Sequence, residues 1–441
     1  MKQGAPQVLR PLLDRAGPPS STKASPGVAP APQQPDRNPT RARRAPSTST
    51  QHPRLMPTAC IQQPNSRIHL KSERLEIWAP HPDSGVEEII REIPIRDVER
   101  LILAESVQIT SAALAALLRA NIPVSLLGWN GQFLGGFLPA TKPHGLARLR
   151  HYQRALEPPF ALDLARRIIA AKLYNQRRVL QRLAASRRDT PSPEPAPAAT
   201  PQLDDSPPNV QHGPSPLATP AAPAPTDDSP APNPNAQAVA VTNQALPWLD
   251  TLFASIAKAA TLDELRGFEG AATARYFQAW AAFLPADFPF QRRSTRPPLN
   301  PVNACISFGA TLLYNEAVAF IHAHGLDPAL GLLHTTEDGR WSLALDLIEP
   351  FRPVLVEALA LDLFSHRILD ASHFEPRDGG VYLNDSGRKK FILQYERRME
   401  RQFMSECAGH RTTLRLQLEH QAVLFKTALD SPDRFEPFLM N

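Results

Sequence analysis

Four side chains in the second half of this 441-residue chain have types and spacings that suit chemistry: Glu316, His334, Asp346 and Glu349. Glu316 lies in the run Leu312-Leu313-Tyr314-Asn315-Glu316-Ala317. Leu312, Leu313, Ala319 and Phe320 fall three and four positions to either side, so a helix here puts a carboxylate on an apolar face. An ionised carboxylate on a packed face is costly unless a cation or a set of donors meets it, so something positive is expected opposite Glu316. His334 follows a short apolar segment, and Asp346 and Glu349 are three apart, pointing the same way on a helix. Two carboxylates and an imidazole with no cysteine nearby form a mixed oxygen and nitrogen set that suits Mg²⁺ or Mn²⁺ and tolerates other divalent ions. Each residue also has a structural role open to it. Asp346-x-x-Glu349 is a capping-box-like start for a helix carrying Phe351, Val354, Leu355 and Ala358. A single loop histidine needs no metal to explain it.

The elements that must position these groups are legible around them. Asn300 is a good N-cap and Pro301 suits the first helical position, where its missing N–H costs nothing. Gly325 suits the C-terminal turn and Pro328 blocks continuation, giving a helix of roughly 24 residues, about 36 Å long at 1.5 Å per residue. His334 then falls in a loop. Pro350 and Pro353 place the start of the following helix nearby, and Val354–Leu363 reads as buried.

Three runs, in order and at consistent intervals, resemble the Cas-one family, the CRISPR-associated integrase and endonuclease of spacer acquisition. The first is Gln291-Arg292-Arg293-Ser294-Thr295-Arg296-Pro297-Pro298 with Asn300-Pro301-Val302-Asn303 and Leu312-Leu313-Tyr314-Asn315-Glu316-Ala317. The second is Gly325-Leu326-Asp327-Pro328 leading to Gly331-Leu332-Leu333-His334. The third is Leu343-Ala344-Leu345-Asp346-Leu347-Ile348-Glu349-Pro350-Phe351-Arg352-Pro353. The likeness covers about residues 65–185 and 247–430. It implies that Glu316, His334 and Glu349 bind magnesium or manganese, with Asp346 an auxiliary catalytic group beside the third ligand. Leu265-Arg266-Gly267-Phe268-Glu269-Gly270 followed by Ala274-Arg275-Tyr276-Phe277 also looks like the family, and Glu269 is read as structural within it.

The implied reaction is attack by the 3′-hydroxyl of a captured DNA fragment on a phosphodiester at the edge of a CRISPR repeat. With water as nucleophile the same centre is a DNA endonuclease. The resemblance further implies double-stranded DNA as substrate and a homodimer, two of which flank a central Cas-two family dimer. A transposon integrase of the same fold, or a non-catalytic DNA-binding scaffold, are the other readings.

The expected fold class is α+β with two domains, a small β-rich N-terminal domain followed by a larger all-α catalytic domain. Residues 1–62 read as a disordered, basic, proline-rich tail, and 63–142 as the β-rich domain, which in the family serves dimerisation. Its strands are expected at Arg67–Leu70, Arg74–Ala79, Glu87–Ile93, Val98–Leu103, Ile122–Leu127 and Gln132–Phe137, with Asn130-Gly131 as a hairpin turn and Thr110 capping a helix. The first helices of the catalytic domain occupy 143–186, rich in arginine with interspersed Leu, Ile and Tyr. Such a segment can bury one side and present the other to phosphates or solvent. Residues 187–246 read as a disordered Pro/Ala-rich insertion, 247–430 as the remaining catalytic helices and 431–441 as a tail. Many of the 48 prolines fall in the tail at 1–62 and in this insertion.

Arg292, Arg293 and Arg296 before the central helix, and Arg388, Lys389 and Lys390 at the start of a later one, are candidate DNA contacts. A net charge of +5 and a pI near 9.2 agree with salt-dependent phosphate binding. Cys60, Cys305 and Cys407 are too scattered for a zinc site or disulfide framework. No signal-peptide pattern or membrane span is read, and a cytoplasmic location is expected.

Overall fold

The computed structural model describes residues 58–81, 84–128, 133–140, 144–188, 234–405 and 409–440. Asn130-Gly131, most of the basic tail and most of the proline-rich insertion lie outside them. The N-terminal part contains β1 (Thr58–Ile61), β2 (Arg67–Lys71), β3 (Arg74–Pro80), β4 (Glu87–Pro94), β5 (Arg100–Ala104), β6 (Gln108–Ile109), helix α1 (Ser111–Arg119), β7 (Val124–Leu127) and β8 (Phe133–Phe137). They form two four-stranded sheets, ordered β1-β5-β7-β8 and β4-β3-β2-β6. One buried cluster, including Ile68, Leu75, Ile77, Leu101, Leu103 and Leu117, fills the space they share. Thr110 caps α1 through its hydroxyl, which accepts from the Ala113 N–H at 3.3 Å. β1 falls within the expected tail. It pairs in parallel with β5, a long-range partner that its four residues cannot announce.

The C-terminal part is helical: α2 (Gly145–Ala155), α3 (Pro158–Arg188), α4 (Pro234–Lys258), α5 (Leu262–Ala281), α6 (Pro301–Ala323), α7 (Ser342–Ile348), a π-helical turn (Arg352–Glu357) and α8 (Ala358–Ser365). Then come β9 (Phe374–Arg377), β10 (Gly380–Leu383), α9 (Asp385–Glu400), β11 (Phe403–Ser405), β12 (His410–Thr412) and α10 (Leu414–Ala428). This part is therefore not all-α, since two small antiparallel pairs interrupt it. A second buried cluster runs from Phe160 to Phe438 and takes Ile102 and Leu127 from the N-terminal sheets.

α6 is the helix read from its caps. The Asn300 carboxamide accepts from the Asn303 N–H at 2.8 Å, and Gly325 takes a positive φ of +74° just past the end. The helix is long and apolar enough to cross a membrane, yet 67% of that apolar window is buried inside the protein. It is the central helix of the core.

Two boundaries move. α4 begins at Pro234, inside the expected insertion, because Ala238, Thr242, Ala245 and Leu249 form a buried stripe of mostly small residues. The expected C-terminal tail is core: Phe435 and Phe438 are buried, and Phe438 stacks on Phe351 with centroids 4.5 Å apart. The arginines of α3 are largely spent inside the molecule. Arg166 donates to the Ala259 carbonyl, Arg167 pairs with Asp163, and Arg177 pairs with Asp250.

Candidate functional site

α6 carries Glu316 into a cage of cations. Its carboxylate lies 2.8 Å from Arg100 of β5 and 3.0 Å from Arg415 of α10, and it accepts from the Tyr395 hydroxyl of α9 at 3.3 Å. Both oxygens are engaged, Oε1 by Arg100, Arg415 and Tyr395, and Oε2 by Arg415 Nε. Arg415 also pairs with Glu396 and Glu400. Burial raises the affinity of Glu316 for a proton, but Arg100 and Arg415 outweigh it and hold its carboxyl below the usual range. The expected positive partner is thus present, and it is protein. This corrects the expectation that Glu316 shares an ion with His334 and Glu349: its lone pairs face guanidinium forks, and it joins the sheets to the helical core.

The other three residues come together elsewhere. Gly331 allows the loop to close on α7, where a Cβ would meet the His334 carbonyl at 2.4 Å and the Asp346 carboxylate at 3.2 Å. Asp346 is fully buried and accepts from the backbone N–H groups of Leu333 and His334 at 3.2 and 3.1 Å, and more closely from Leu332. Its Oδ1 also holds His334 Nδ1 at 2.6 Å. With Nδ1 committed to Asp346, Nε2 is the ring nitrogen left for a ligand. Burial lowers the His334 pKa, but the Asp346 contact and the Glu349 charge outweigh it and raise it above its ordinary value.

Glu349 follows the end of α7 and is buried. Its Oε1 accepts from Arg352 at 2.8 Å, and its Oε2 lies 2.5 Å from the ammonium of Lys172 on α3. That second contact is a charge contact without hydrogen-bond geometry, for Oε2 has no hydrogen-bond partner. Burial pushes the Glu349 pKa up; Arg352 and Lys172 overcome it and bring it down to about 2. The same ammonium touches Glu269 Oε1 on α5, which also accepts from Thr273 at 2.9 Å. Burial disfavours the charge on Lys172, but Glu349 and Glu269 more than restore it, and its pKa is raised.

Glu269, read from sequence as structural, therefore belongs to the cluster that holds Glu349 and is felt by His334. One signal could have found it. Leu265, Ala272 and Tyr276 of α5 are buried four before, three after and seven after Glu269, which is the same carboxylate-on-an-apolar-face pattern that singled out Glu316.

Among the described residues, no three His, Cys, Asp or Glu side chains already enclose a point where an ion would sit. Even so, Glu269, Glu349 and His334 Nε2 form a hard, mixed oxygen and nitrogen donor set, and the gap between the two carboxylates already holds one positive charge. The set fits a divalent cation. Asp346 does not, because its oxygens are taken by the loop N–H groups and His334.

The six candidate DNA contacts divide. Arg293 donates to Asn303 Oδ1 at 2.5 Å and to the Ser294 carbonyl, so it braces the start of α6. Arg388 donates to the Leu383 carbonyl and pairs with Asp385, bracing the start of α9. Lys390 is exposed and donates to the Ile368 carbonyl at 3.3 Å. Arg292, Arg296 and Lys389 are exposed. Arg293 senses the charges of Arg352 and Glu357, which places its loop beside the Glu349 cluster.

A family model described as CRISPR associated protein Cas1 matches residues 59–210 and 233–397. A Cas4 exonuclease/Cas1 endonuclease fusion of Geobacter sulfurreducens is 31% identical over 341 residues, 76% of this chain and 52% of the fusion. The chain thus spans about half the length of that relative. A Cas1 endonuclease of Thermodesulfovibrio yellowstonii is 29% identical over 79% of this chain and 92% of its own length. Among solved structures, a casposase bound to its integration product superposes with a TM-score of 0.63 at 20% identity, covering 86% of this chain and 91% of that one. A Cas6-RT-Cas1–Cas2 complex gives 0.62 at 21% identity over 88% of this chain and 36% of that one.

Proposed function

This chain belongs to the CRISPR-associated Cas1 family, and we propose that it is a metal-dependent DNA integrase and endonuclease that inserts short foreign DNA fragments into a CRISPR array. The observation that carries the reading is the pair of carboxylates, Glu269 and Glu349, drawn around one positive charge with His334 beside them. Those three residues, rather than Glu316, would hold Mg²⁺ or Mn²⁺. When bound, the ion supplies Lewis-acid chemistry, polarising a phosphodiester and offsetting charge on the attacking and leaving oxygens.

The chain's own groups prepare that site. Asp346 fixes the ring of His334 and leaves Nε2 free to coordinate. Arg352 keeps Glu349 ionised from the side away from Lys172. The exposed Arg292 and Arg296 stand in the loop next to the cluster, where they can meet the phosphates flanking a scissile bond. The attacking group is the 3′-hydroxyl of the captured fragment, and water in the hydrolytic reaction.

The fold shared with a casposase on its integration product and with a Cas1–Cas2 assembly supports double-stranded DNA and a Cas2 dimer as partners. Exposed apolar side chains support a homodimer: Val86, Ile89 and Ile90 at β4, and Leu146, Leu149 and Leu156 at α2. A cytoplasmic location goes with such substrates. The casposase likeness also favours a second reading, a transposon integrase that works without a Cas2 partner; a neighbouring repeat array would separate the two.

The test is strand transfer of a short duplex into supercoiled plasmid carrying a repeat, with Mn²⁺ and with or without the Cas2 partner. Glu269→Gln is expected to lower transfer at least 100-fold while retaining DNA binding. Transfer at the wild-type rate in that variant would defeat the site assignment.

A further inference from the structure

We infer that Lys172 is a tethered internal cation that competes with the divalent ion for the Glu269–Glu349 pair, holding the two carboxylates in place before the ion arrives and setting how tightly it is held. The inference rests on the metal-site reading above and adds a residue to it.

The geometry is specific. The Lys172 ammonium is buried, lies 2.5 Å from Glu349 Oε2 and touches Glu269 Oε1, so one positive charge bridges acids from two different elements. Its anchor point is fixed. One turn on, Asn175 donates to the carbonyl of Pro350, next to Glu349, at 2.7 Å and to that of Phe438 at 3.0 Å, and it accepts from the Met440 N–H at 2.7 Å. Gln176 reaches Thr273 of α5 at 3.5 Å, and Thr273 bonds Glu269. The α3 backbone is therefore locked to both acid-bearing elements, while the four-carbon stem leaves the ammonium able to shift.

A point charge on a flexible stem differs from a guanidinium fork. It bridges two acids, offsetting one of their two negative charges, without the bidentate geometry that would make withdrawal costly. Without Lys172, Glu269 and Glu349 would face each other as like charges, with only Arg352 on the far oxygen of Glu349. With Lys172 in place, an incoming ion must displace or tolerate a neighbouring positive charge, so affinity is lower than the donor set alone would give. Once displaced, the ammonium remains within reach of the site and its anionic substrate.

The test uses the full chain and Mn²⁺ alone, with free Mn²⁺ followed by electron paramagnetic resonance and melting followed by calorimetry. Lys172→Met removes the charge and keeps most of the stem, while Arg352 still keeps Glu349 ionised. The variant is expected to melt lower than wild type without metal, to bind Mn²⁺ at least tenfold more tightly, and to gain more in melting temperature when Mn²⁺ is added. Lys172→Gln carries the same comparison if the methionine variant folds poorly. Lys172→Arg keeps the charge and is expected not to tighten binding.

A purely structural lysine would lower the melting temperature and leave Mn²⁺ affinity unchanged. That result, or weaker binding, would overturn the inference. Glu269→Gln separates the two ideas. If it abolishes Mn²⁺ binding while Lys172→Met fails to tighten it, only the role of Lys172 falls. If wild-type binding survives Glu269→Gln, the metal site is elsewhere and both fall.

Discussion

Among the described residues, the clusters of buried charge around Glu316 and around Glu349 are built differently. Around Glu316, two guanidinium groups and a hydroxyl engage both carboxylate oxygens, and the participants come from β5, α6, α9 and α10. Around Glu349, the link to Glu269 is one flexible ammonium, and Glu269 and His334 keep 25% and 31% side-chain exposure. The first cluster is closed by rigid forks that engage both oxygens of Glu316. The second opens toward solvent and holds its acids with a group that can move. A buried carboxylate on an apolar helix face therefore announces a cation, and the kind of cation decides whether the place is a joint or a site.

The contrast can be broken most forcefully at the joint. Glu316→Ala leaves Arg100 and Arg415 buried without their shared partner, which is expected to cost about 3–5 kcal/mol of stability. Urea unfolding measures it, and Mn²⁺ binding by the folded fraction should not change. Loss of Mn²⁺ binding with little loss of stability would reverse the roles given to the two clusters.

Acid probes the second cluster next. Glu349 has its pKa brought down to about 2 from 4.5, so its contribution is present in full above pH 4.5 and is lost as pH falls toward 2. That shift corresponds to about 3 kcal/mol for a fully buried group. Comparing urea midpoints at pH 7 and pH 3 for wild type and Glu349→Gln should show the smaller acid-induced drop in the variant. An equal drop in both would mean that the cluster does not hold Glu349 ionised as described.

The smallest effect is expected from Asp346→Asn, which keeps the shape of the loop anchor but weakens its hold on His334 Nδ1. Mn²⁺ affinity should fall about 10–100-fold, as when an orienting partner of a metal-binding histidine is lost. A larger loss, equal to that of Glu269→Gln, would make Asp346 a direct ligand.

Much of the scaffold was legible. The caps of α6, the Thr110 cap of α1 and six of the strands follow from local signals: a side-chain oxygen before a helix, a proline at its first turn, alternation along a strand. β1, the beginning of α4 and the buried C-terminus were not, because each depends on a partner distant in sequence and carries a weak local pattern. At the site, the pairing of His334 with Asp346 and its nearness to Glu349 agree with the motif order. The place of Glu316 does not, and the same apolar-face reasoning applied to α5 would have weighed Glu269 equally.

The sequence by itself determined which residues are costly to bury: Glu316, Asp346 and Glu349 stand among apolar neighbours, and each had to find a partner. It also determined family membership, through three motifs that follow one another in order between Gln291 and Pro353. Only the tertiary structure decided which cation meets which acid. Arg100 and Arg415 reach Glu316 from positions 216 residues before and 99 after it, and Lys172 reaches Glu349 from 177 before. Ion pairing depends on distance in space and on the shape of the charged group, and the linear order of residues encodes neither.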